Sequence, residues 1–315
     1  MKQKVLRLGI IGLGAMGAEM LDVANRSAVV EVVLAADPSA AALDRAGTAY
    51  PELALTSDPA DVLARKDIDA VYIASPPTTH AGYSITAMKS GKAVFCEKPL
   101  AVDASEAAEM VAVAAETAVV NALNFSLSDR SAAVRVGRAV RDGQAGAVLG
   151  VDIRLSFPQW PRDFQRGAGW VAGREQGGFL REVGSHFVFL TDRIVGPLSR
   201  IHTHVVYGSQ GETAAAGLFS ANGVPVRVSG QVAAGPETYE WTLYGSQRSY
   251  RITAWGDLWL GDADGWHRTE LPQPRGSEES RLAEFAAAVH GAPSTLADFA
   301  TGLRVQHVIE SFHQS

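Results

Sequence analysis

The sequence predicts an α/β protein in which a doubly wound parallel sheet comes first and an α+β domain with an open, mainly antiparallel sheet follows. Two observations carry this prediction. Up to about residue 120, short apolar strands alternate with helices, as expected where helices cover both faces of a parallel sheet. After about residue 122, runs of alternating polar and apolar residues dominate, which is typical of antiparallel strands. We therefore expect one domain at residues 1–122 and another at 123–315.

The elements of the first domain follow from its apolar runs and turn residues. Strands are expected at residues 6–11, 31–36, 70–74 and 93–96, with helices at 16–26, 40–46, 80–89 and 105–116. In the second domain we expect a helix at 132–141 and strands at 150–157, 201–207, 214–220, 224–232, 239–244 and 249–253. Helices at 280–290 and from 296 onward close the sequence. The last helix could pack back on the first domain.

Composition narrows the class of protein. The 315 residues are too many for one ordinary core, and 47% hydrophobic with 20% charged residues indicates a globular chain. The net charge of −6 and the lack of a dense Lys/Arg run disfavour a nucleic-acid partner. Cys96 is the sole cysteine, so no intramolecular disulfide is expected. The sequence shows no signal peptide and no membrane span, so we expect a cytoplasmic protein without membrane partners.

A glycine turn identifies the first domain as a Rossmann domain. The segment Gly12-Leu13-Gly14-Ala15-Met16-Gly17 follows a strand and opens a helix, whose N-terminal N–H groups suit a pyrophosphate. Asp37 stands 20 residues after Gly17, at the end of the second strand, where a carboxylate accepts hydrogen bonds from ribose hydroxyls and repels a 2′-phosphate. NAD is therefore preferred as cofactor. NADP stays open, because Ser39 and Arg45 lie nearby. The alternative to a dinucleotide site is an unrelated α/β protein in which these glycines only form a turn and Asp37 is a solvated surface residue.

Two further stretches, taken with the glycine turn, point to a family. Ala74-Ser75-Pro76-Pro77-Thr78-Thr79-His80 and Gly91-Lys92-Ala93-Val94-Phe95-Cys96-Glu97-Lys98-Pro99-Leu100 resemble the glucose–fructose oxidoreductase / inositol dehydrogenase / rhizopine-catabolism (Gfo/Idh/MocA) family. The resemblance continues through residues 177–186 to the C-terminal helix. It implies an NAD(P)-dependent oxidoreductase acting on CH–OH groups of a sugar, polyol or related hydroxy or carbonyl compound. It also implies a homodimer or homotetramer.

The resemblance implies roles for individual residues. Lys98 is expected near the nicotinamide and the reacting oxygen, Pro76 and Pro77 in the nicotinamide pocket, and Glu97 near the nicotinamide ribose. Lys98 also lies just past a parallel strand, where open α/β sheets bind ligands, so it could polarise a carbonyl or take a hydroxyl proton. The alternative is a surface lysine in a tight turn. The full cofactor-binding set is Gly12, Gly14, Ala15, Met16, Gly17, Asp37, Ser75, Pro76, Pro77, His80, Glu97 and Lys98.

Glu182 and His186 form the second candidate catalytic group. They are four residues apart on a predicted helix that ends at Gly196-Pro197, which places them on one face. Histidine exchanges protons near neutral pH, and a carboxylate one turn away can orient it. The family pattern is usually Asp-x-x-x-His with a later Asp, where this sequence has Glu182 and Phe189. The alternative is a helix histidine with structural hydrogen bonds beside a solvated glutamate.

Substrate contacts are expected from an aromatic and basic loop at residues 157–170. Trp160 or Trp170 could stack on a sugar ring, and Arg162, or alternatively Arg166 or Arg174, could pair with a carboxylate. Packing of this loop on its own domain is an equally open interpretation. Asn124 is a further expected substrate-binding residue, in a segment where the family's usual arginine is missing.

Other site types and functions are weighed against this one. No His, Cys or acidic cluster has the spacing of metal ligands, so no metal is expected. The alternative functions are a glycoside hydrolase that uses tightly held NAD for transient oxidation and a dinucleotide-binding sensor without chemistry.

Overall fold

The structure is a computed structural model that describes residues 5–165, 169–174, 176–209, 211–271 and 276–314. The chain divides into two compact units, each built from two stretches of sequence. The first unit comprises Met1–Phe125 and Ser277–Leu303, and the second comprises Ser126–Gly276 and Arg304–Ser315. The domain boundary expected between residues 122 and 123 stays a prediction.

The first unit contains a parallel sheet of six strands among its described residues, in the order β3-β2-β1-β4-β5-β6. Its strands are β1 (Leu6–Ile11), β2 (Val30–Ala36), β3 (Leu55–Thr56), β4 (Ala70–Ile73), β5 (Ala93–Cys96) and β6 (Asn121–Leu123). The intervening helices are α1 (Ala15–Asn25), α2 (Ala40–Ala49), α3 (Pro59–Ala64), α4 (His80–Lys89) and α5 (Ala104–Thr117). This order confirms the Rossmann prediction. The direction in which successive strands are added reverses between β1 and β4, and sheets of this kind bind their ligands at that point.

The second unit contains an open sheet, ordered β14-β13-β12-β11-β7-β10-β9-β8 in its described part. Its strands are β7 (Val148–Phe157), β8 (Leu198–Gly208), β9 (Gly211–Ala221), β10 (Val224–Val232), β11 (Thr238–Gly245), β12 (Ser249–Thr253), β13 (Asp257–Asp262) and β14 (Gly265–Thr269). Neighbours are antiparallel except β7 and β10, which pair in parallel. The mainly antiparallel character is thereby confirmed.

Helices complete both units. α6 (Ser131–Arg141) and α7 (Ser185–Ile194) belong to the second unit, and a π-helical turn, Leu180–Gly184, leads directly into α7. α8 (Glu278–Val289) belongs to the first unit, where Phe285 stacks on Phe95 of β5 with ring centroids 5.0 Å apart. α9 (Phe299–His313) contributes its first turn to the first unit and its remainder to the second.

Several elements were missing from the sequence prediction: β3, α3, β6, β13 and β14. β3 and β6 have two and three residues, too few for a hydrophobic period to be visible. α3 carries recognisable start signals, since the Asp58 side chain accepts from the Ala60 N–H and Pro59 stands in its first turn. Among the described residues, no helix is both long enough and apolar enough to cross a lipid bilayer.

Candidate functional site

The turn between β1 and α1 is closed on its inner side and open on its outer side. A Cβ atom at Gly12, whose φ is +96°, would lie 2.6 Å from the backbone of Ala74, and one at Gly17 would lie 1.8 Å from the Gly12 carbonyl oxygen. A Cβ atom at Gly14 would meet nothing within 4 Å. Gly14 is also the N-cap of α1, and no side chain caps this helix. The helix N-terminus therefore presents N–H groups to an anion, with Ala15 and Met16 in its first turn.

Asp37 ties the end of β2 to this turn. Its Oδ2 accepts a hydrogen bond from the Leu13 N–H at 2.7 Å, and its Oδ1 accepts one from the Ser39 N–H at 2.8 Å. A carboxylate offers about four lone-pair positions, so both oxygens keep capacity for ribose hydroxyls. The glycine turn and Asp37 together fit the phosphates and the adenosine ribose of a dinucleotide.

His80 links the two loops that follow β4 and β5. Its ring is buried, with Nδ1 2.8 Å from the Pro99 carbonyl oxygen and Nε2 2.9 Å from the Ser75 carbonyl oxygen. Burial lowers the pKa of His80, although both carbonyls favour the charged ring. The imidazole thus positions the Ser75-Pro76-Pro77 segment relative to the half-buried Lys98, which follows β5 and precedes a cis bond to Pro99.

Behind Lys98 lies a buried polar cluster that we name the carboxyl network, consisting of Tyr72, Glu97, Asn124, Glu278 and Arg281. Glu97 Oε1 accepts hydrogen bonds from the Tyr72 hydroxyl and, at 2.6 Å, from Asn124 Nδ2. The same amide nitrogen donates to Glu278 Oε2 at 2.8 Å. Arg281 donates from Nε to Asn124 Oδ1 at 2.7 Å and forms an ion pair with Glu278. Two carboxyl groups therefore share one amide.

Burial, and next the charge of Glu278, raise the pKa of Glu97 to about 7. The carboxyl network also includes Asn124, which the sequence predicts to bind substrate. Its side chain is 3% exposed and is engaged at both ends, which favours a positioning role. Direct contact of Asn124 with substrate stays a prediction.

His186 is held in one tautomer in the second unit. Its Nδ1 accepts a hydrogen bond from the Ser126 backbone N–H at 3.1 Å. Because a backbone N–H can only donate, Nδ1 carries a lone pair, and the proton of the neutral ring sits on Nε2. His186 can therefore donate a hydrogen bond from Nε2 to a substrate oxygen.

Glu182 lies in the π-helical turn, so the expected α-helical spacing to His186 is replaced by a wider turn. Its Oε2 accepts from Gln165 Nε2 at 3.0 Å, and Gln165 Oε1 in turn accepts from Arg162 Nε at 2.8 Å. Glu182 and His186 are both buried, at 7% and 5% exposure. The expectation of a solvated glutamate, kept as the alternative, does not fit this burial.

Trp255 is a neighbour of His186 that sequence reasoning missed. The two rings meet edge to face with centroids 5.3 Å apart, and Trp255 also contacts Phe187 and Tyr239. Its φ of +65° lies in the left-handed region, which a bulky residue rarely adopts. No sequence signal marks this residue, since its turn between β12 and β13 was not predicted.

The substrate loop is only partly described. Trp160 is 6% exposed and packs edge to face on Phe157 and Phe179, which favours the packing interpretation for its ring. Arg162 is half-buried, and its guanidinium lies over the Trp160 ring and donates to the Tyr239 hydroxyl. The Trp170 side chain and all of Arg166 lie outside the described part of the structure.

The first unit brings the glycine turn, Asp37, the Ser75–Pro77 segment, His80, Glu97 and Lys98 to the carboxyl ends of its strands. The second unit brings Glu182 and His186 into one helical segment. Glu278 and Arg281 were missed, although a charged pair on the apolar face of α8, in line with Leu282 and Phe285, was a usable signal. Within the described ranges no group of three or more His, Cys, Asp or Glu is arranged to hold a metal ion. The absence of a metal stays a prediction.

Residues 6–125 match the sequence model of a family described as the oxidoreductase family with an NAD-binding Rossmann fold, GFO_IDH_MocA. Over these residues, the sequence is similar to the Gfo/Idh/MocA family. Its first domain is accordingly an NAD-binding Rossmann domain.

Relatives share part of this sequence, and solved structures share its fold. Inositol 2-dehydrogenase of Rhodococcus erythropolis is 35% identical over 34% of this chain and 31% of its own length. A dTDP-3,4-didehydro-2,6-dideoxy-α-D-glucose 3-reductase of Streptomyces violaceoruber is 30% identical over 61% of this chain and 56% of its own. An oxidoreductase of Agrobacterium radiobacter, solved with NAD+, L-tartaric acid and magnesium, superposes with a TM-score of 0.84, 18% identity and coverage of 98% and 96%. The matched regions span about a third to a half of the first curated relatives.

Proposed function

We propose that this protein is an NAD(P)-dependent oxidoreductase that moves a hydride between nicotinamide and a CH–OH or carbonyl carbon of a sugar, polyol or related compound. The observation that carries the proposal is the uncapped N-terminus of α1 behind Gly14, joined to Asp37 and set beside the loop of Lys98. NAD is preferred over NADP because the Asp37 carboxylate, at the end of β2, would accept hydrogen bonds from the ribose hydroxyls and would repel a 2′-phosphate.

The fit of the cofactor follows from the first unit. The N–H groups of the α1 N-terminus would hold the pyrophosphate and Asp37 would hold the adenosine ribose. Ser75, Pro76 and Pro77 would line the nicotinamide side. When bound, the dinucleotide supplies the hydride acceptor or donor. The protein supplies placement and proton handling.

Two side chains of this chain handle the proton of the substrate hydroxyl. Lys98 is the group that takes the proton during oxidation and returns it during reduction. His186 is the second candidate, since it can donate a hydrogen bond from Nε2 to a substrate oxygen while its Nδ1 accepts from the Ser126 N–H. Glu182, whose Oε2 accepts a hydrogen bond from Gln165, is proposed to orient His186. A neutral imidazole acting as a hydrogen-bond donor is an established catalytic device.

The substrate class rests on the relatives, an inositol dehydrogenase and a deoxysugar reductase among them. The oriented Nε2–H donor and the half-buried Arg162 suit a polyhydroxylated substrate. We further propose a homodimer or homotetramer that works in the cytoplasm on small molecules, without nucleic-acid or membrane partners.

Replacing Lys98 by methionine tests the proposal. Lys98→Met keeps much of the side-chain length and removes the amine, so kcat should fall by about 100-fold or more, the usual contribution of acid–base catalysis. Dinucleotide affinity should stay within about threefold, since the phosphate turn and Asp37 are untouched. The measurement is NAD(P)H absorbance during turnover of sugars, polyols and sugar acids, with dinucleotide binding measured separately.

Lys89→Met is the matched control, because Lys89 is an exposed lysine in the last turn of α4. Full activity of Lys98→Met would contradict the catalytic role of Lys98. Turnover without net NADH formation would identify a redox glycoside hydrolase instead. Dinucleotide binding without turnover of any such compound would favour a sensor.

A further inference from the structure

The environment of Glu97 is unusual for a carboxyl group next to a candidate catalytic lysine. Its side chain is 7% exposed, and its hydrogen-bond donors, the Tyr72 hydroxyl and the Asn124 amide, are neutral and reach the same oxygen, Oε1. In the described part of the chain, no hydrogen bond reaches Oε2. Glu97 is thus held in a fixed orientation without being paired to a cation.

Charged and titratable groups on several neighbouring elements surround Glu97. Glu278, on α8, repels the ionised carboxylate, and Arg281 is already bonded to Glu278. Lys98 favours the ionised form but ranks behind burial and Glu278 among the causes. The buried Cys96 thiol precedes Glu97 on β5, and Glu19 of α1 faces the Glu278–Arg281 pair.

The place of Glu97 in the fold connects this carboxyl to the cofactor. Glu97 directly follows β5, which pairs with β4, and β4 pairs with β1 at the dinucleotide turn. Ligands of such sheets bind at the carboxyl ends of these strands. An oxidised nicotinamide ring carries a positive charge that the reduced ring lacks, and a nearby positive charge favours an ionised carboxylate.

We propose that Glu97 is a proton-binding site linked to the oxidation state of the dinucleotide, ionised beside the oxidised ring and protonated beside the reduced ring. This inference rests on the proposed function, which places the nicotinamide at this edge of the sheet. Binding of the reduced form is then accompanied by proton uptake from solvent. By thermodynamic reciprocity, pH must shift the relative affinity for the two forms.

The pH range follows from the cited shift. With a pKa of about 7 in the protein alone, Glu97 is mostly protonated at pH 6 and mostly ionised at pH 8. Rising pH should therefore favour NAD+ over NADH. The ratio of the dissociation constants, NADH over NAD+, should rise by about three- to tenfold between these pH values, tenfold corresponding to a one-unit difference in the Glu97 pKa between the complexes.

The experiment measures both dissociation constants at pH 6, 7 and 8, by calorimetry in two buffers of different ionisation enthalpy, so that proton uptake is counted directly. Glu97→Gln keeps the size and hydrogen-bonding capacity of the side chain and should remove both the pH dependence of the ratio and the uptake of a proton with NADH. Glu109→Gln, an exposed carboxyl on α5, is the matched control and should behave like the unchanged protein.

A second variant changes the pKa of Glu97 without removing its carboxyl group. Glu278→Gln removes the repelling charge, so the pH at which the ratio changes should move down. This variant decides the question if Glu97→Gln fails to fold. A ratio independent of pH in the unchanged protein, or a dependence that survives in Glu97→Gln, would overturn the inference. If neither dinucleotide binds, the proposed function itself fails, whereas binding with a flat ratio removes only the proton linkage.

Discussion

Glu212 is a buried carboxyl group of the second unit whose protonation is coupled to folding. It is 3% exposed, its Oε2 accepts from the Leu180 N–H at 3.0 Å, and Gly178, with φ +101°, leaves it room, since a Cβ there would lie 2.2 Å away. Burial raises the pKa of Glu212 to about 7. The nearby His313 stays neutral, because burial and Arg181 lower its pKa to about 3.

Stability should therefore fall as pH rises through neutrality. A carboxyl whose pKa is raised by folding stabilises the folded state fully below its unfolded pKa, near 4.5, and loses this contribution as pH passes about 7. Glu212 should account for roughly 3 kcal/mol of lost unfolding free energy between pH 4.5 and 8. Glu212→Gln should lose correspondingly less, as measured by urea unfolding at pH 5 and 8. An equal loss in both proteins would contradict this role, and Glu109→Gln serves again as control.

At the scale of elements, the turn between β1 and α1 separates binding from folding within six residues. Gly14 faces open space and has ordinary backbone angles, φ −66° and ψ −163°, whereas Gly17 is pressed against the Gly12 carbonyl. Gly14 is therefore accessible to a ligand, whereas glycine is required at position 17 because no side chain fits there.

Alanine at these two positions should separate the effects. Gly14→Ala should fold with nearly unchanged stability but bind dinucleotide at least about tenfold more weakly, because the methyl group occupies the side that the pyrophosphate approaches. Gly17→Ala should lose about 1–3 kcal/mol of unfolding free energy through overpacking. Thermal unfolding and dinucleotide titration of both variants measure this. If Gly14→Ala bound dinucleotide as tightly as the unchanged protein, the phosphates would not bind against Gly14.

What the sequence predicts at this scale depends on how local the signals are. The glycine turn, Asp37 and the strand–helix alternation are local patterns, and the Rossmann sheet follows from them. The π-helical turn at Leu180–Gly184 carries no such pattern, so the partner of Glu182 was not foreseen. The pairing of Asn124 with Glu278 joins residues 154 positions apart, beyond the reach of any periodicity.

At the scale of the whole molecule, the sequence indicates two architectures but not how each is assembled from the chain. The central parallel pair of β7 and β10 depends on tertiary pairing that a single sequence does not reveal. The same holds for α8, which is separated from the rest of the first unit by residues 126–276 yet supplies Leu282 and Phe285 to its core.

This interruption governs the order in which the protein can fold during its synthesis. At about 5–20 residues per second, roughly 8 to 30 s pass between translation of residue 125 and of residue 277, and during that time Phe95 lacks the Phe285 ring that stacks on it. We expect the nucleotide-binding half to stay incomplete and accessible to chaperones until α8 has emerged. Protease digestion of ribosome-held chains stalled before and after α8 emerges measures this. Early resistance of residues 5–125 would show that this half closes unaided.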